Sequence, residues 1–261
     1  MPTPSTVTHP DWTRTGVLYQ LNTRQFTPEG TLAAAAEQLE RLADLGVRCV
    51  WLMPIHPIGE VERKGSLGSP YAVRDYRAVN PELGTLDDLR AFVERAHELG
   101  LAVILDWVAN HTARDHAWVE EHPDWYRRDR AGRPMPPPWC DWDDVLDLDY
   151  ASPDLRAAMA GELRYWVEEV GLDGYRCDVA GFVPLDFWEG VRAELEQVRP
   201  VFLLAEWEER DLHARAFDST YGWTWQKVLV EIAQGRADAR ALEHWCSTHL
   251  KAWTPGGQRM L

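Results

Sequence analysis

Three times along this chain a stretch of helical period gives way to a glycine and then to an unbroken apolar run. Leu45-Gly46-Val47 leads into Val50-Trp51-Leu52-Met53, Leu99-Gly100-Leu101 into Val103-Ile104-Leu105, and Val170-Gly171-Leu172 into Gly174-Tyr175-Arg176. Each glycine fits a helix C-cap, where the chain turns left-handed before entering a strand. Before the first two glycines, Leu32, Ala35, Leu39, Leu42 and Leu45 share one helix face, and so do Leu89, Phe92, Val93, Ala96 and Leu99. Thr85 and Asp88 have the spacing of a capping box. Ser152-Pro153 supplies an N-cap and first-turn proline for a helix carrying Leu155, Met159, Leu163, Trp166 and Val170.

Helices alternating with buried strands predict a parallel sheet with helices outside it. Strands are expected near 16–22, 47–53, 101–106, 172–177, 200–205 and 215–220, with further helices near 184–198 and 224–251. The class is α/β, a TIM (β/α)8-type barrel that is incomplete, because only about six strands are readable and a closed barrel needs about eight. His111 to Tyr150 is too long for an ordinary connection. It reads as an excursion after the third strand, stiffened by Pro134 to Pro138. No linker divides the chain into independent domains.

Composition narrows the function. A net charge of −15 argues against nucleic acid, which needs a basic face, and is compatible with a neutral substrate. No apolar run approaches a membrane span, and residues 1–12 lack a charged-then-apolar leader, so a cytoplasmic protein is expected. Cys49, Cys140, Cys177 and Cys246 match no zinc or redox spacing and are expected to be reduced and mostly buried. Of the 14 tryptophans, Trp107, Trp125, Trp139, Trp142, Trp207, Trp223 and Trp225 fall in loops or at strand ends. Such rings suit the C–H faces of sugars, although for any single one loop packing is the better explanation.

The chemistry concentrates where apolar runs end on carboxylates. Gly174-Tyr175-Arg176-Cys177-Asp178 and Leu203-Leu204-Ala205-Glu206-Trp207 place Asp178 and Glu206 at or near the ends of neighbouring strands. Two converging carboxylates are what glycoside hydrolysis requires. Arg176 lies two residues before Asp178, hence on the same face, where its charge favours an ionised carboxylate. Glu206 lies between Ala205 and Trp207, an apolar wall that favours a retained proton. Asp106-Trp107-Val108-Ala109-Asn110-His111 feeds three more polar groups into a loop, where they could equally cap local backbone. A metal-dependent hydrolase using Asp106, His111, Asp178 and Glu206 as ligands is a competing arrangement, though it contains only one histidine.

Together these segments resemble the α-amylase family of retaining glycoside hydrolases, glycoside hydrolase family 13, from about Val17 to the last residue. The resemblance is carried by Ser69-Pro70-Tyr71-Ala72-Val73-Arg74-Asp75-Tyr76 through Val79-Asn80-Pro81, by Asp106 to His111, by Gly174 to Asp178 and by Leu204 to Trp207. It implies Asp178 as nucleophile and Glu206 as general acid/base. Arg176 would bond the nucleophile, Asp106 would support that arginine, and His111 and Tyr71 would contact the sugar in the cleaved subsite. Trp207 would join the substrate-binding set, and Asp75 would be a structural aspartate. The implied reaction is double displacement on an α-glucan or maltooligosaccharide, by hydrolysis or transfer, with the carboxyl groups about 5–5.5 Å apart. Residues 1–110 would open the barrel, 111–150 form a small inserted B-type subdomain, and 151–261 continue the barrel.

The chain departs from the family pattern in two places. Many members carry Lys-His shortly after the nucleophile, a plus-side sugar contact and a calcium ligand. Here the sequence is Val179-Ala180-Gly181-Phe182-Val183-Pro184. No cofactor is required. Calcium has one matching position, Asn110, and the acidic run Asp141, Asp143, Asp144, Asp147, Asp149 could hold a hard cation or be a solvated loop. The fourth family signature, Asn-His-Asp after the seventh strand, would follow Gln258-Arg259-Met260-Leu261. The expectation is therefore a truncated seventh strand, no eighth, exposed sheet edges that favour self-association, and reduced turnover. A catalytically inactive sugar-binding module of the same fold is the alternative.

Overall fold

A computed structural model describes residues 5–138, 140–250 and 256–260. Trp139 and Leu261 lie outside the described residues. Seven parallel strands form one sheet in the order β1 (Val17–Leu21), β2 (Val47–Leu52), β3 (Ala102–Trp107), β6 (Gly174–Cys177), β7 (Phe202–Ala205), β8 (Ser219–Tyr221) and β9 (Gln258–Met260). The omitted numbers belong to β4 (His111–Ala113) and β5 (Val145–Asp147), an antiparallel pair inside the 111–150 excursion. The fold is thus an incomplete (β/α)8-type barrel, six strands as the apolar runs predict plus Gln258–Met260 alongside β8. Among the described residues no helix is long and apolar enough to cross a membrane.

Local chemistry sets the joints. Thr85 and Asp88 form the expected capping box on the helix Leu86–Glu98, and the Ser152 hydroxyl accepts from Leu155 N–H to start the helix Pro153–Glu169. The three repeated glycines take positive φ, 92° at Gly46, 72° at Gly100 and 79° at Gly171, as left-handed C-caps require. The first helix differs from its pattern. It is split into Leu32–Ala36 and Leu39–Asp44, and Leu45, assigned to the apolar face, is 68% exposed at the C-cap. The region near 224–251 is likewise divided into Trp223–Ala233 and Arg240–Trp245, because Gly235 turns the chain at φ 71°.

Strand parity divides the interior in two. Leu21, Val50, Leu52, Val103, Leu105, Tyr175, Leu203 and Ala205 face the helices and build the main core. Cys49, Trp51, Ala102, Ile104, Phe202 and Leu204 face the other way and form a smaller apolar cluster on the sheet's inner face. All four cysteines are free thiols; Cys49 and Cys177 are buried, while Cys140 and Cys246 are half-buried. Trp107 and Trp125 prove to be core residues, which removes them from the rings open to a sugar. Trp107 stacks on Tyr76 and meets Tyr175 and His56 edge-on.

Candidate active site

Continuing the inner-face parity upward gives the site. Asp106 follows Ala102 and Ile104 at period two, Asp178 follows Arg176, and Glu206 follows Phe202 and Leu204. Register completes the arrangement: Asp106 is the direct partner of Arg176 across β3 and β6, and Arg176 is the partner of Leu204 across β6 and β7. Three carboxylates from three adjacent strands therefore reach one guanidinium.

Arg176 Nη1 donates to Asp106 Oδ1 at 2.7 Å and to Asp178 Oδ1 at 2.8 Å, and Nη2 lies 2.7 Å from Glu206 Oε1. Its Nε donates to the Tyr221 hydroxyl at 3.2 Å. The guanidinium also lies 5.2 Å from the ring centre of Trp51, 5.7 Å from Tyr221 and 5.9 Å from Tyr71. The sequence reading pairs Arg176 with Asp178 and with Asp106, so its contact with Glu206 is new. Trp51 and Tyr221 were also missed. Their signal was parity, since both occupy inner-face positions near strand ends.

One positive charge cannot hold two buried carboxylates and a half-buried one ionised together, and all three titrate above their ordinary values. Burial is the main cause in each case, with Arg176 opposing it. Asp106 is pushed up to about 7, although Arg176, the Tyr71 hydroxyl and the Trp51 indole N–H all donate to it. Asp178 and Glu206 hydrogen-bond each other, a contact that lowers Asp178 and raises Glu206. Both shifts are upward, so the pair keeps a proton to higher pH than free carboxyls would.

The turn after Asp178 is strained. Val179 adopts φ 38°, ψ 46°, a left-handed conformation that costs a β-branched residue about 1–3 kcal/mol. In that conformation its N–H donates to Glu206 Oε2 at 2.9 Å. Two residues on, a Cβ at Gly181 would lie 2.1 Å from Trp207 Cε2, so the missing side chain is what seats the Trp207 ring. Phe182 lies 5.2 Å from that ring and Trp223 6.0 Å. Where the resemblance expects Lys-His, this chain builds an aromatic wall. Gly181→Ala is expected to displace Trp207, changing the near-ultraviolet circular dichroism and weakening maltooligosaccharide binding about tenfold, or about 1.4 kcal/mol. Unchanged affinity would show that Trp207 does not meet the ligand.

His111 and Tyr71 sit side by side. His111 is buried and neutral, its pKa lowered by burial to about 4, and it bonds the Tyr71 carbonyl. Trp142 lies 5.3 Å from its ring. His111 does not join the carboxylates, and Arg176 fills the centre where a metal would sit, which argues against the metal-hydrolase arrangement. The calcium candidates have other partners. Asn110 bonds His111 and Asp147, Asp147 faces Arg127 at 3.4 Å, and Asp144 faces Lys64 at 3.7 Å. Among the described residues no three His, Cys, Asp or Glu groups converge on a metal position.

The family profile described as alpha amylase, catalytic domain, matches residues 9–142. The chain belongs to the alpha-amylase family. The carboxylates Asp178 and Glu206 lie beyond that match but within the reach of the structural relatives. An alpha-amylase from Lactobacillus plantarum superposes with a TM-score of 0.90 at 38% identity, covering 95% of this chain and 62% of that one. A maltogenic alpha-amylase from Thermotoga neapolitana gives 0.87 at 38% identity, covering 94% and 58%. An alpha-1,4-glucan:maltose-1-phosphate maltosyltransferase from Salinibacter ruber is 35% identical over 218 residues, 73% of this chain and 33% of that protein. This alpha-amylase family chain thus spans about a third of the length of the curated relatives it matches.

Proposed function

We propose that the carboxylate cluster is the reaction centre of a retaining glycosidase or transglycosylase acting on α-glucans. The observation that carries this reading is the convergence of Asp178 and Glu206 on Arg176, at 2.8 Å and 2.7 Å. Retention is the stereochemistry of the family, and it requires carboxyl groups about 5–5.5 Å apart rather than the roughly 6.5–9.5 Å of inversion. Asp178 would attack the anomeric carbon as Glu206 protonates the leaving oxygen, giving a glycosyl ester on Asp178. Glu206, now a carboxylate, would then take the proton of water or of an acceptor sugar hydroxyl as that oxygen displaces Asp178. Arg176 holds the nucleophile, Asp106 holds Arg176, and Tyr71, His111 and Trp207 line the approach of the sugar. The α-glucan class rests on the relatives, whose names specify alpha-1,4-glucan and alpha-amylase.

The test is covalent trapping. Incubation with 5-fluoro-α-D-glucosyl fluoride, digestion and mass spectrometry should place the adduct on Asp178. With maltooligosaccharides, proton NMR should show the α-anomer released first. A β-anomer as first product, or an adduct elsewhere, would refute the assignment. Sugar binding with neither adduct nor product would favour the binding-module reading.

A further inference from the structure

The helix Trp223–Ala233 begins without a cap of its own. Its N-cap is Gly222, which has no side chain to accept from the first turn. Glu208, on the loop after β7, supplies that acceptor from elsewhere in the chain. Its Oε2 accepts from Thr224 N–H at 2.8 Å, and its Oε1 accepts from the Thr224 hydroxyl at 2.6 Å. A carboxylate at this end also meets the positive pole of the helix. The Thr224 oxygen in turn accepts from the Trp245 indole N–H at 3.0 Å, so the clamp reaches the helix Arg240–Trp245 as well.

Burial contributes little to the placement of this helix. All of its residues are half-buried or exposed, and Trp223 at its first position is 41% exposed. The stack of Trp225 on Trp245, at 4.8 Å, ties it to the neighbouring helix and not to the sheet. The backbone tie between β7 and β8 reaches one pair past the strands, where Tyr221 N–H donates to the Trp207 carbonyl at 3.1 Å. Glu208 is the next residue on one side, and its clamp on Thr224 takes over where that ladder ends.

Between ladder and clamp three rings meet. Trp223 lies 6.0 Å from Trp207 at an interplanar angle of 72°, and 5.7 Å from Tyr221, whose hydroxyl accepts from Arg176 Nε. A ring at the first position of a lightly packed helix keeps its place only while the start of that helix is held. The structure assigns Glu208 as a positioning residue for the aromatic wall: its carboxylate fixes the start of the helix Trp223–Ala233, and through it the Trp223 ring against Trp207. This deepens the proposed reaction and rests on it in one respect, that Trp207 meets the sugar.

The experiment labels the protein with 5-fluorotryptophan and assigns the fluorine resonances of Trp207 and Trp223 from Trp207→Phe and Trp223→Phe. In Glu208→Ala the Trp207 resonance should move to the position it takes in Trp223→Ala, because in both the Trp223 ring has left it. Glu208→Gln should keep the parent position, since its amide still accepts from Thr224 N–H and can donate to the hydroxyl oxygen. Thr224→Val removes the hydroxyl half of the clamp and should move the Trp207 resonance in the same direction, which keeps the test open if Glu208→Ala does not fold. Calorimetry with maltoheptaose, on Asp178→Asn so that the sugar is not consumed, should show affinity about tenfold weaker with Glu208→Ala and restored with Glu208→Gln. Adding Glu208→Ala to Trp223→Ala should cost nothing further. A Trp207 resonance unmoved in Glu208→Ala, or in Thr224→Val if Glu208→Ala does not fold, would overturn the proposal. So would an equal shift in Glu208→Gln, or losses of affinity that add. A parent protein that binds no maltoheptaose would count against the proposed reaction, while the fluorine spectra would still decide the role of Glu208.

Discussion

Arg176→Ala is expected to destabilise the chain by about 3–5 kcal/mol, because it strands buried charge. For a domain of this size the melting temperature should fall by roughly 10 °C. Asp106 is fully buried, Asp178 is 7% exposed, and the guanidinium is the cation common to both and to Glu206. Arg176→Lys should recover only part of the loss, since one ammonium cannot reproduce a planar fork that bonds three carboxylates and Tyr221. The deficit should also depend on pH. Asp106 already titrates at about 7 in the folded chain, above an unfolded carboxyl. For such a group the stabilisation is present while it is protonated and is lost as pH rises through the folded value. Removing Arg176 enlarges that upward shift, so denaturant melts should show a larger deficit at about pH 8 than at about pH 5. A deficit independent of pH would mean that the lost stability is packing rather than charge.

Asp178→Asn should lower turnover about a thousandfold or more, with little change in melting temperature compared with Arg176→Ala. An amide keeps the shape of the side chain but cannot form the glycosyl ester. Glu206→Gln should have a different signature. Asp178 must lose its proton for attack, which gives the rising limb of a bell-shaped rate profile. Glu206 must keep its proton for leaving-group protonation, which gives the falling limb. Burial raises both groups, so the whole bell is displaced to higher pH than free carboxyls would give, and the pair titrates as a unit. In Glu206→Gln the falling limb should disappear, and residual turnover should be highest on substrates whose leaving group needs no proton. A Glu206→Gln profile that keeps its falling limb would assign the acid to another group.

The elements that were legible in the sequence are those with a local cause. Capping at Thr85 and Ser152, glycines that end helices, and apolar runs long enough for a strand all act within a few residues. Period two also placed Arg176 and Asp178 on one face. What stayed hidden depends on contacts between strands. The resemblance supplied the Asp106–Arg176 contact, which the β3–β6 register makes, but not the reach of Arg176 to Glu206 across β6 and β7. No single segment encodes either. Leu45 was misplaced because periodicity ignores where a helix face runs out, and Trp107 because a ring at a strand end can turn toward either layer.

Val179 links the two halves of the reaction centre mechanically. It follows Asp178 directly, and its N–H grips Glu206 on the neighbouring strand. The two carboxylates are therefore gauged against each other by a single peptide unit rather than by the helices packed outside the sheet. A slip of β7 along β6 would break that grip before it disturbed the main core, and a residue that relaxed to extended backbone at 179 would swing the N–H away. The sheet's registration at this one point acts as a mechanical stop that sets how far apart the acid and the nucleophile can drift.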